Sequence, residues 1–442
     1  MRHLLCILSL FLSLVTLQAQ NLSPQQANTR VGELINASDL ETLSRELPSL
    51  KGQIVKPLLA LAEALVAYHE GRHEDSNKAI AQVSEHAPEL GSEVVFNMSQ
   101  LSIYNYLLLE EYAEGAQMVN MILMTLPEGE ASAESRESLE ATLRWMSALA
   151  QKDKVEIIRP QADATIPFEI REMGQGQHIV VNLSLGENSE VTQETVLDTG
   201  CSFANFISSK AAERLGVEIL AEDIIVRGFG KGYARLGILK EAKLGEVSIK
   251  NMTFLVVDKL VPDNVQAEGM CDVILGTHVI RKLGEIRFEP QNKRMVLPAK
   301  PSTAPQRRNL FFEAGQYFLI CQDGQEQLTL HFDTGNVKTQ LSSKYFTRFQ
   351  SKVEAEGGEV ERSRSGGFGG VKWCDIRTLP KVKLEVDGKT LKLDSVAVNL
   401  PTSYEDGEPF VEQHDGSAGA DFITSAQRVT LDLKRMFFRI DK

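Results

Sequence analysis

The chain has 442 residues, which is too long for a single hydrophobic core and predicts two or three domains. Hydrophobic residues make up 43% and charged residues 24%, the balance of an ordinary soluble globular protein. The formal net charge of −13 argues against nucleic acid or an anionic membrane as a partner, because both require a basic surface.

Residues 1–19 have the features of a secretory signal peptide. Arg2 and His3 precede an apolar run from residue 4 to 17, and Ala19 offers a small residue for cleavage. A membrane anchor is the alternative, but the run is shorter than the roughly 20 residues of a spanning helix. We therefore expect export, to a periplasm or to the exterior, and no later segment is apolar enough to span a membrane.

Residues 20–154 are predicted to be α-helical. Apolar residues recur at helical spacing at Leu58, Leu61 and Leu65. The segment that starts at residue 72 weakly resembles the one that starts at residue 111. Their offset of 39 residues (111 − 72) is within the range of helical-hairpin repeats. Two alternatives stay open: a tetratricopeptide-like stack, which would offer a docking surface for a protein partner, and a plain helical bundle.

Two strand-rich segments follow, 155–300 and 309–442, separated by the Pro-rich polar linker 301–308. They look like repeats of each other. Each contains an Asp-Thr-Gly triplet, then Gly-Phe-Gly, then an apolar run that holds a glycine. The offsets between matching landmarks are 135 (333 − 198), 139 (367 − 228) and 143 (419 − 276), a drift that short loop insertions would produce.

This order of parts carries a family resemblance. Residues from about 160 to 441 resemble aspartic proteases, bilobal like the pepsins but with compact lobes like the retropepsins. The resemblance implies a multidomain protein in which an α-helical domain precedes a bilobal acid-protease β-barrel fold. It also implies an aspartic endopeptidase that acts on peptides or proteins, with both catalytic aspartates in one chain, so that a monomer suffices.

The chemistry of paired carboxylates agrees with that resemblance. Two carboxylates about 3 Å apart cannot both ionise, so they share a proton, and aspartic proteases are the standard example. The ionised member takes a proton from water and the protonated member donates to the substrate carbonyl. The two titrate as a pair, so the sequence assigns neither role to one residue. The candidate catalytic residues are Asp198 and Asp333, and the resemblance adds Thr199, Gly200, Thr334 and Gly335 as their support.

A Gly-rich hairpin follows each triplet. By resemblance these hairpins are flap tips that close over the peptide, and two of them favour a two-flap, retropepsin-like arrangement. The alternative for each is a simple turn. The flap candidates are Gly228, Phe229 and Gly230 in the first repeat and Gly367, Phe368 and Gly369 in the second.

Three positions depart from the family pattern. Cys201 and Asn336 follow the triplets, where Ser or Ala is usual. His331 lies two residues before Asp333, so it shares that face of the strand as a subsite candidate. A histidine there would shift the pH optimum or favour an acidic substrate side chain, unless the backbone simply satisfies it. Asp421 is interpreted as support for the second triplet.

The remaining residues suggest no other chemistry. No Cys/His cluster has metal-site spacing and no cofactor motif occurs, so we predict neither metal nor cofactor. The four cysteines outside the signal peptide are expected to be free thiols, although they allow three disulfide pairings. The alternative to an active enzyme is a catalytically inactive peptide-binding module on the same fold, which Cys201 and Asn336 motivate.

Overall fold

A computed structural model describes residues 22–125, 132–173, 176–185, 191–228, 230–260, 271–401 and 410–441. The predicted signal peptide therefore lies outside the described residues. The chain divides into two compact units, residues 1–126 and 127–442. No helix in the described ranges is long and apolar enough to cross a membrane.

The described part of the first unit is α-helical. Pro24 begins the first helix in the favoured position after Ser23, whose side chain and that of Gln26 cap each other's backbone amides. Sequential helices pack through Leu, Val and Ala cores. The helices are α1 (Pro24–Asn36), α2 (Leu40–Leu50), α3 (Lys56–His69), α4 (His73–Glu85), α5 (Ala87–Leu90), α6 (Ser92–Leu109) and α7 (Tyr112–Thr125), with a 3-10 turn at Lys51–Gln53.

The second unit begins with one more helix, α8 (Ala133–Leu149), which the sequence grouped with the helical region 20–154. The structure places it with the β-rich unit because it packs along strand β6 (Glu218–Arg227). Arg144 donates a 2.9 Å hydrogen bond to the carbonyl of Asp223, and Lys152 pairs with Glu218 at 3.0 Å. Long-range packing of this kind has no signature in local helical periodicity.

The first strand-rich segment forms most of a 13-stranded sheet. Its strands are β1 (Glu156–Ile158), β2 (Ala164–Met173), β3 (Gly176–Leu185), β4 (Val191–Leu197), β5 (Asn205–Ser208), β6, β7 (Lys231–Leu244), β8 (Val247–Val257), β9 (Val273–Leu275), β10 (Ile286–Glu289) and β11 (Arg294–Leu297). Its short helices are α9 (Ser209–Leu215) and α10 (Thr277–Ile280), with 3-10 turns at Arg281–Leu283 and Pro290–Asn292.

The second strand-rich segment forms an eight-stranded sheet and adds two strands to the first. Its strands are β12 (Leu310–Glu313), β13 (Gln316–Asp323), β14 (Glu326–Phe332), β15 (Gln340–Leu341), β16 (Glu361–Gly367), β17 (Gly370–Val386), β18 (Lys389–Asn399), β19 (Gly416–Ala418), β20 (Arg428–Asp432) and β21 (Phe437–Asp441). Its short helices are α11 (Ser343–Arg348), α12 (Gln350–Glu356) and α13 (Asp421–Thr424), with a 3-10 turn at Phe410–Gln413.

The two segments repeat the same strand pairings. In the first, β4 pairs in parallel with β9, and β5 pairs in parallel with β8. In the second, β14 pairs in parallel with β19, and β15 pairs in parallel with β18. Antiparallel hairpins β6–β7 and β16–β17 occupy matching places. The internal repeat expected from the sequence is therefore present in three dimensions as two equivalent lobes, which supports the duplicated part of the fold prediction.

The lobes share a sheet. Strand β20 of the second lobe pairs antiparallel with β10 of the first, and β21 continues beyond it. Buried Ile286, Phe288 and Leu431 lie in this region. An N-terminal helical region followed by a large β-sheet region is thus confirmed, whereas the tetratricopeptide-like helices and the closed barrels remain predictions.

Candidate active site

Each Asp-Thr-Gly triplet begins where a buried strand ends. Strands β4 and β14 show the same pattern: their first two residues are exposed and their last three are buried, because both faces become covered near the triplet. The amide of Asp198 donates to the carbonyl of Leu275 in β9, and that of Asp333 to Ala418 in β19, both at 3.0 Å. The neighbouring parallel strand therefore fixes each aspartate at the same point of its lobe.

The two triplets are joined by crossed hydrogen bonds between their threonines. The hydroxyl of Thr199 donates to the carbonyl of Phe332 at 2.7 Å and accepts from the amide of Thr334 at 3.0 Å. The hydroxyl of Thr334 donates to the carbonyl of Leu197 at 2.9 Å and accepts from the amide of Thr199 at 3.0 Å. Both threonines are buried, so these four bonds hold two loops 135 residues apart in fixed register.

The glycines of the triplets let the carboxyl groups meet. A methyl group at Gly200 would lie within 3.0 Å of all three carboxyl atoms of Asp333. A methyl group at Gly335 would lie equally close to the carboxyl group of Asp198. Glycine is required at both positions because any side chain would occupy the space of the opposite carboxyl group.

The electrostatics of Asp198 are those of a carboxyl group that holds a proton. Burial, the negative charge of Asp333 and a hydrogen bond between the two side chains raise the pKa of Asp198 well above its usual range. The amides of Gly200 and Cys201 oppose that shift, since they donate to Asp198 Oδ1 at 2.8 and 3.1 Å. Asp198 therefore keeps its proton to a higher pH than an isolated aspartate does.

Asp333 has an equivalent backbone environment and a different side-chain environment. Its Oδ1 accepts from the amides of Gly335 and Asn336 at 3.0 and 3.2 Å. Its Oδ2 lies 3.9 Å from Nδ1 of His331, the subsite candidate, which is buried. The other ring nitrogen of His331 bonds the side chain of Gln316 at 3.0 Å, so a side chain rather than the backbone satisfies this histidine.

The unusual residues after the triplets are compatible with the site. The thiol of Cys201 is buried and donates to the carbonyl of Ala204, and burial together with the two aspartates raises its pKa, so it stays neutral. The carbonyls of Cys201 and Asn336 accept from matching positions, the amides of Thr277 and Ala420, at 2.9 and 2.8 Å. The two substitutions therefore preserve the backbone bonds of the loop.

Asp421 bonds the loop that follows the second triplet, and the cysteines of the described ranges are free thiols. One carboxyl oxygen of Asp421 accepts from both the amide and the hydroxyl of Thr339, at 2.8 and 2.6 Å, in the loop that follows the second triplet. The four cysteines, Cys201, Cys271, Cys321 and Cys374, are buried free thiols. Within the described ranges, no group of three or more His, Cys, Asp or Glu side chains is placed to hold a metal ion.

The two Gly-rich hairpins meet at their tips. The amide of Gly230 donates to the carbonyl of Phe368 at 3.3 Å. The ring of Phe368 lies 5.7 Å from that of Phe206, between ring centres, and covers Gly232. Gly369 has a φ of +82°, which favours glycine, and a methyl group there would lie within 3.0 Å of Gly230. Gly228 and Gly367 flank the tips, whereas Phe229 lies outside the described residues.

The hairpin of the first lobe is also bound to helix α8. Arg227 pairs with Glu134 at 2.7 Å and bonds Ser138 at 3.0 Å. Lys231 pairs with Glu137, and Tyr233 donates to the same carboxylate at 2.6 Å. These contacts were not foreseen from the sequence, because helix and hairpin are more than 80 residues apart along the chain.

His178 is a second site residue that the sequence did not single out. Its Nε2 lies 2.9 Å from the carbonyl of Gly335, and the ring is buried. The preceding residue, Gln177, donates its amide to Val337 at 3.0 Å. The start of β3, in the first lobe, thus bonds the loop of the second triplet. No motif in the linear sequence predicts this contact.

Comparison with known sequence families matches one part of the chain. The sequence model of the family described as aspartyl protease matches residues 181–279, which include the first triplet and the first hairpin. Solved structures that match include a retropepsin-like aspartic protease from Rickettsia conorii, 16% identical, which covers 33% of this chain and 94% of its own with a TM-score of 0.22. No curated protein shows significant similarity. The resemblance to aspartic proteases is confirmed by the family match.

Proposed function

We propose that this aspartic protease relative is an endopeptidase in which Asp198 and Asp333 together activate one water molecule. The observation that carries the proposal is the meeting of the two carboxyl groups over each other's glycine, inside the crossed threonine bonds. That arrangement fixes the pair before substrate arrives, and preorganised groups need no rearrangement during the reaction.

The proposed reaction uses the pair as acid and base. The ionised aspartate takes a proton from water while the water oxygen attacks the peptide carbonyl, and the protonated aspartate donates its proton to the carbonyl oxygen. As the C–N bond of the tetrahedral intermediate breaks, the aspartate that now holds the proton gives it to the leaving amine, and the other aspartate takes a proton from a hydroxyl group of the intermediate. The products are a carboxylic acid and an amine, and the pair returns to one shared proton.

The two hairpins would act as flaps. Their tips touch across the lobes through Gly230 and Phe368, so a peptide would enter only when that contact opens. Closure over the bound peptide would exclude bulk water from the pair and strengthen its electrostatic interactions. Phe368 and Phe206 would supply apolar surface to the substrate.

Export and docking are further parts of the proposal. The basic and apolar N-terminus supports export to a periplasm or to the exterior, which N-terminal sequencing of the mature protein would test. The helical unit supports a role in presenting substrate or docking a protein partner.

The test is removal of each carboxylate in the purified chain. We expect Asp198→Asn and Asp333→Asn each to reduce cleavage of an unfolded protein by about 10²–10⁴-fold between acidic and neutral pH, because each removes the acid–base pair. Asp387→Asn is the matched control, since Asp387 is exposed in the turn between β17 and β18.

Three outcomes separate the functions. Cleavage that survives both triplet substitutions would contradict the proposed mechanism. Binding of an extended peptide without cleavage by the unsubstituted protein would instead favour the inactive peptide-binding module. Loss of cleavage in Asp387→Asn as well would show that general destabilisation, rather than loss of the pair, explains the result.

A further inference from the structure

The two carboxyl groups are alike in their backbone bonds and unlike in their side-chain neighbours. Both accept two amide bonds at Oδ1. Only Asp333 has an imidazole beside its other oxygen, 3.9 Å away in His331. Among the described residues, no ion pair joins Asp198 to a His, Lys or Arg. The symmetry of the duplicated lobes is therefore broken at the carboxyl groups themselves.

Strand register identifies what the first lobe has in place of His331. Phe318 pairs with His331 across β13 and β14, and Val180 pairs with Val196 across β3 and β4. Each of His331 and Val196 lies two residues before its aspartate. The first lobe thus carries an uncharged, buried valine where the second carries a histidine.

The hydrogen bond of His331 orients its ring. Nε2 lies 3.0 Å from Oε1 of Gln316, an acceptor, so Nε2 carries a proton and Nδ1 faces Asp333. When Nδ1 is also protonated, a positive charge lies beside Oδ2 of Asp333. At 3.9 Å the interaction is Coulombic rather than a hydrogen bond.

Two other histidines near this site can respond to pH. They are His414 and His178, and burial lowers the pKa of His178 while the Gly335 carbonyl and the charge of Asp333 oppose that shift. Phe318 of β13 packs against the ring of His331, and Ser417 of β19 donates to its backbone carbonyl. His414 lies beyond Phe318, with Glu313 3.7 Å away and Asp415 next to it in sequence. Burial lowers the pKa of His414 to about 4, so His414 is neutral through most of the acidic range.

We propose that His331 makes the pair unequal, so that Asp333 holds the negative charge and Asp198 holds the shared proton. The inference rests on the proposed function and deepens it. Asp333 is then the base that takes the proton of water, and Asp198 is the acid that donates to the peptide carbonyl. His331 acts through Asp333 and is a positioning residue.

The inequality depends on pH in a definite direction. Burial lowers the pKa of His331, and the charge of Asp333 opposes that shift. The imidazolium is therefore present at acidic pH and is lost as pH rises through the pKa of His331. The stabilisation of the Asp333 carboxylate is greatest in acid, where the pair first ionises.

The experiment measures the pair directly, whether or not the protein cleaves anything. The protein is labelled with ¹³C at the aspartate carboxyl carbons and titrated by NMR, with Asp198→Asn and Asp333→Asn used to assign the two signals. The pair should titrate in two steps. In the unsubstituted protein, we expect the step at lower pH to appear mainly as a change in the chemical shift of Asp333. In His331→Val we expect that step to rise by about one pH unit, because the neighbouring positive charge is gone.

A second substitution at His331 and a control substitution at another histidine test whether the charge of His331 causes the shift. His331→Gln retains a polar side chain near Gln316, removes the charge and should give the same shift. His178→Gln removes an imidazole that bonds the Gly335 carbonyl and interacts with the charge of Asp333 without forming an ion pair within 4.0 Å, so its shift should be smaller. If cleavage is observed, the acidic limb of the kcat/KM profile should move to higher pH in step with the NMR titration.

Two results would overturn the inference. One is a lower step carried mainly by Asp198 in the unsubstituted protein, which needs no variant to fold. The other is an unchanged lower step in both folded His331 variants. Failure of the proposed function would look different: no cleavage at any pH, with the order of titration still as stated.

Discussion

The arrangement that raises the pKa of Asp198 also opposes folding at neutral pH. Its pKa is raised in the folded protein by burial and by Asp333, so the folded state keeps a proton that the unfolded state has lost. The stability that this group contributes is fully present below the unfolded pKa of about 3.9 and is lost as pH rises through the folded pKa. Active sites commonly carry such a cost.

Replacing that carboxyl group should therefore stabilise the protein. We expect Asp198→Asn to raise Tm at pH 7 by a few degrees, because the amide still accepts the bonds from Gly200 and Cys201 and carries no charge. The difference should shrink toward pH 4, near the unfolded pKa of an aspartate, because the unfolded chain then also keeps this proton. Thermal unfolding at both pH values measures it. An equal or lower Tm at pH 7, with Asp387→Asn as reference, would contradict the expectation.

At the scale of the element, the two hairpins are equivalent in pairing and different in support. The hairpin of the first lobe is bound to α8 through Arg227, Lys231 and Tyr233. In the hairpin of the second lobe, Arg362 packs over exposed Trp373 at 5.6 Å. Exposed ion pairs are individually weak, but several on one hairpin restrain it together.

The contact between the tips can be tested with two glycines of like conformation. Gly369 and Gly388 both lie in hairpin turns, with φ of +82° and +70°. Gly369→Ala and Gly388→Ala should each cost about 1–2 kcal/mol of stability, since both force an alanine into a left-handed conformation. Only Gly369 contacts the opposite tip, at Gly230, while nothing lies within 4 Å of a methyl group at Gly388.

Catalytic activity should distinguish the two glycine variants. We expect Gly369→Ala to reduce kcat/KM by at least about tenfold, which corresponds to about 1.4 kcal/mol lost from the closed state, and Gly388→Ala to leave it nearly unchanged. Steady-state kinetics and denaturant unfolding of both variants provide the measurement. Equal losses of activity would mean that strain alone, and not contact between the tips, matters.

At the scale of the whole molecule, a buried ionic cluster ties the lobes to their linker. The side chain of Glu285, fully buried, pairs with Arg287 at 2.9 Å and with Arg435 of the second lobe at 2.6 Å. It also accepts from the amide and hydroxyl of Ser302, both at 2.7 Å. Ser302 lies in the segment 301–308 that the sequence predicts to be the linker. One carboxylate thus contacts both lobes and the segment between them.

Glu285→Gln should weaken this junction in a pH-dependent way. Burial raises the pKa of Glu285, but bonds from Ser302 and Arg435 outweigh it and lower the pKa overall. The stabilisation is present above the unfolded pKa and lost as pH falls through the folded pKa. We expect a loss of about 3 kcal/mol at pH 7 and a smaller loss in acid, measured by denaturant unfolding.

The control is the same substitution at an exposed pair. Glu326 pairs with Arg348 at 3.1 Å with 61% of its side chain exposed, so Glu326→Gln should cost less than about 1 kcal/mol. A similar cost for both substitutions would show that the Glu285 cluster contributes no more than a surface ion pair.

Local sequence patterns were enough to predict the helical region, the change to strands near residue 155 and the duplication with its two triplets. Each of these depends on residues close together in the chain: helical spacing, short apolar runs, and a glycine beside the aspartate. The family match agrees with the triplet at Asp198. The sequence also identified Cys201, Asn336 and His331 as the positions to examine.

Only the tertiary structure decided which residues meet. The crossed bonds of Thr199 and Thr334 span 135 residues, and His178 reaches Gly335 across 157. The packing of α8 on the β-rich unit and the contact of the hairpin tips also join residues that are distant in the sequence. Contacts over such separations depend on how strands pair and lobes join, and local periodicity does not encode them. The sequence determined two aspartates at equivalent places and a histidine two residues before one of them, and the fold alone brought the two carboxyl groups together.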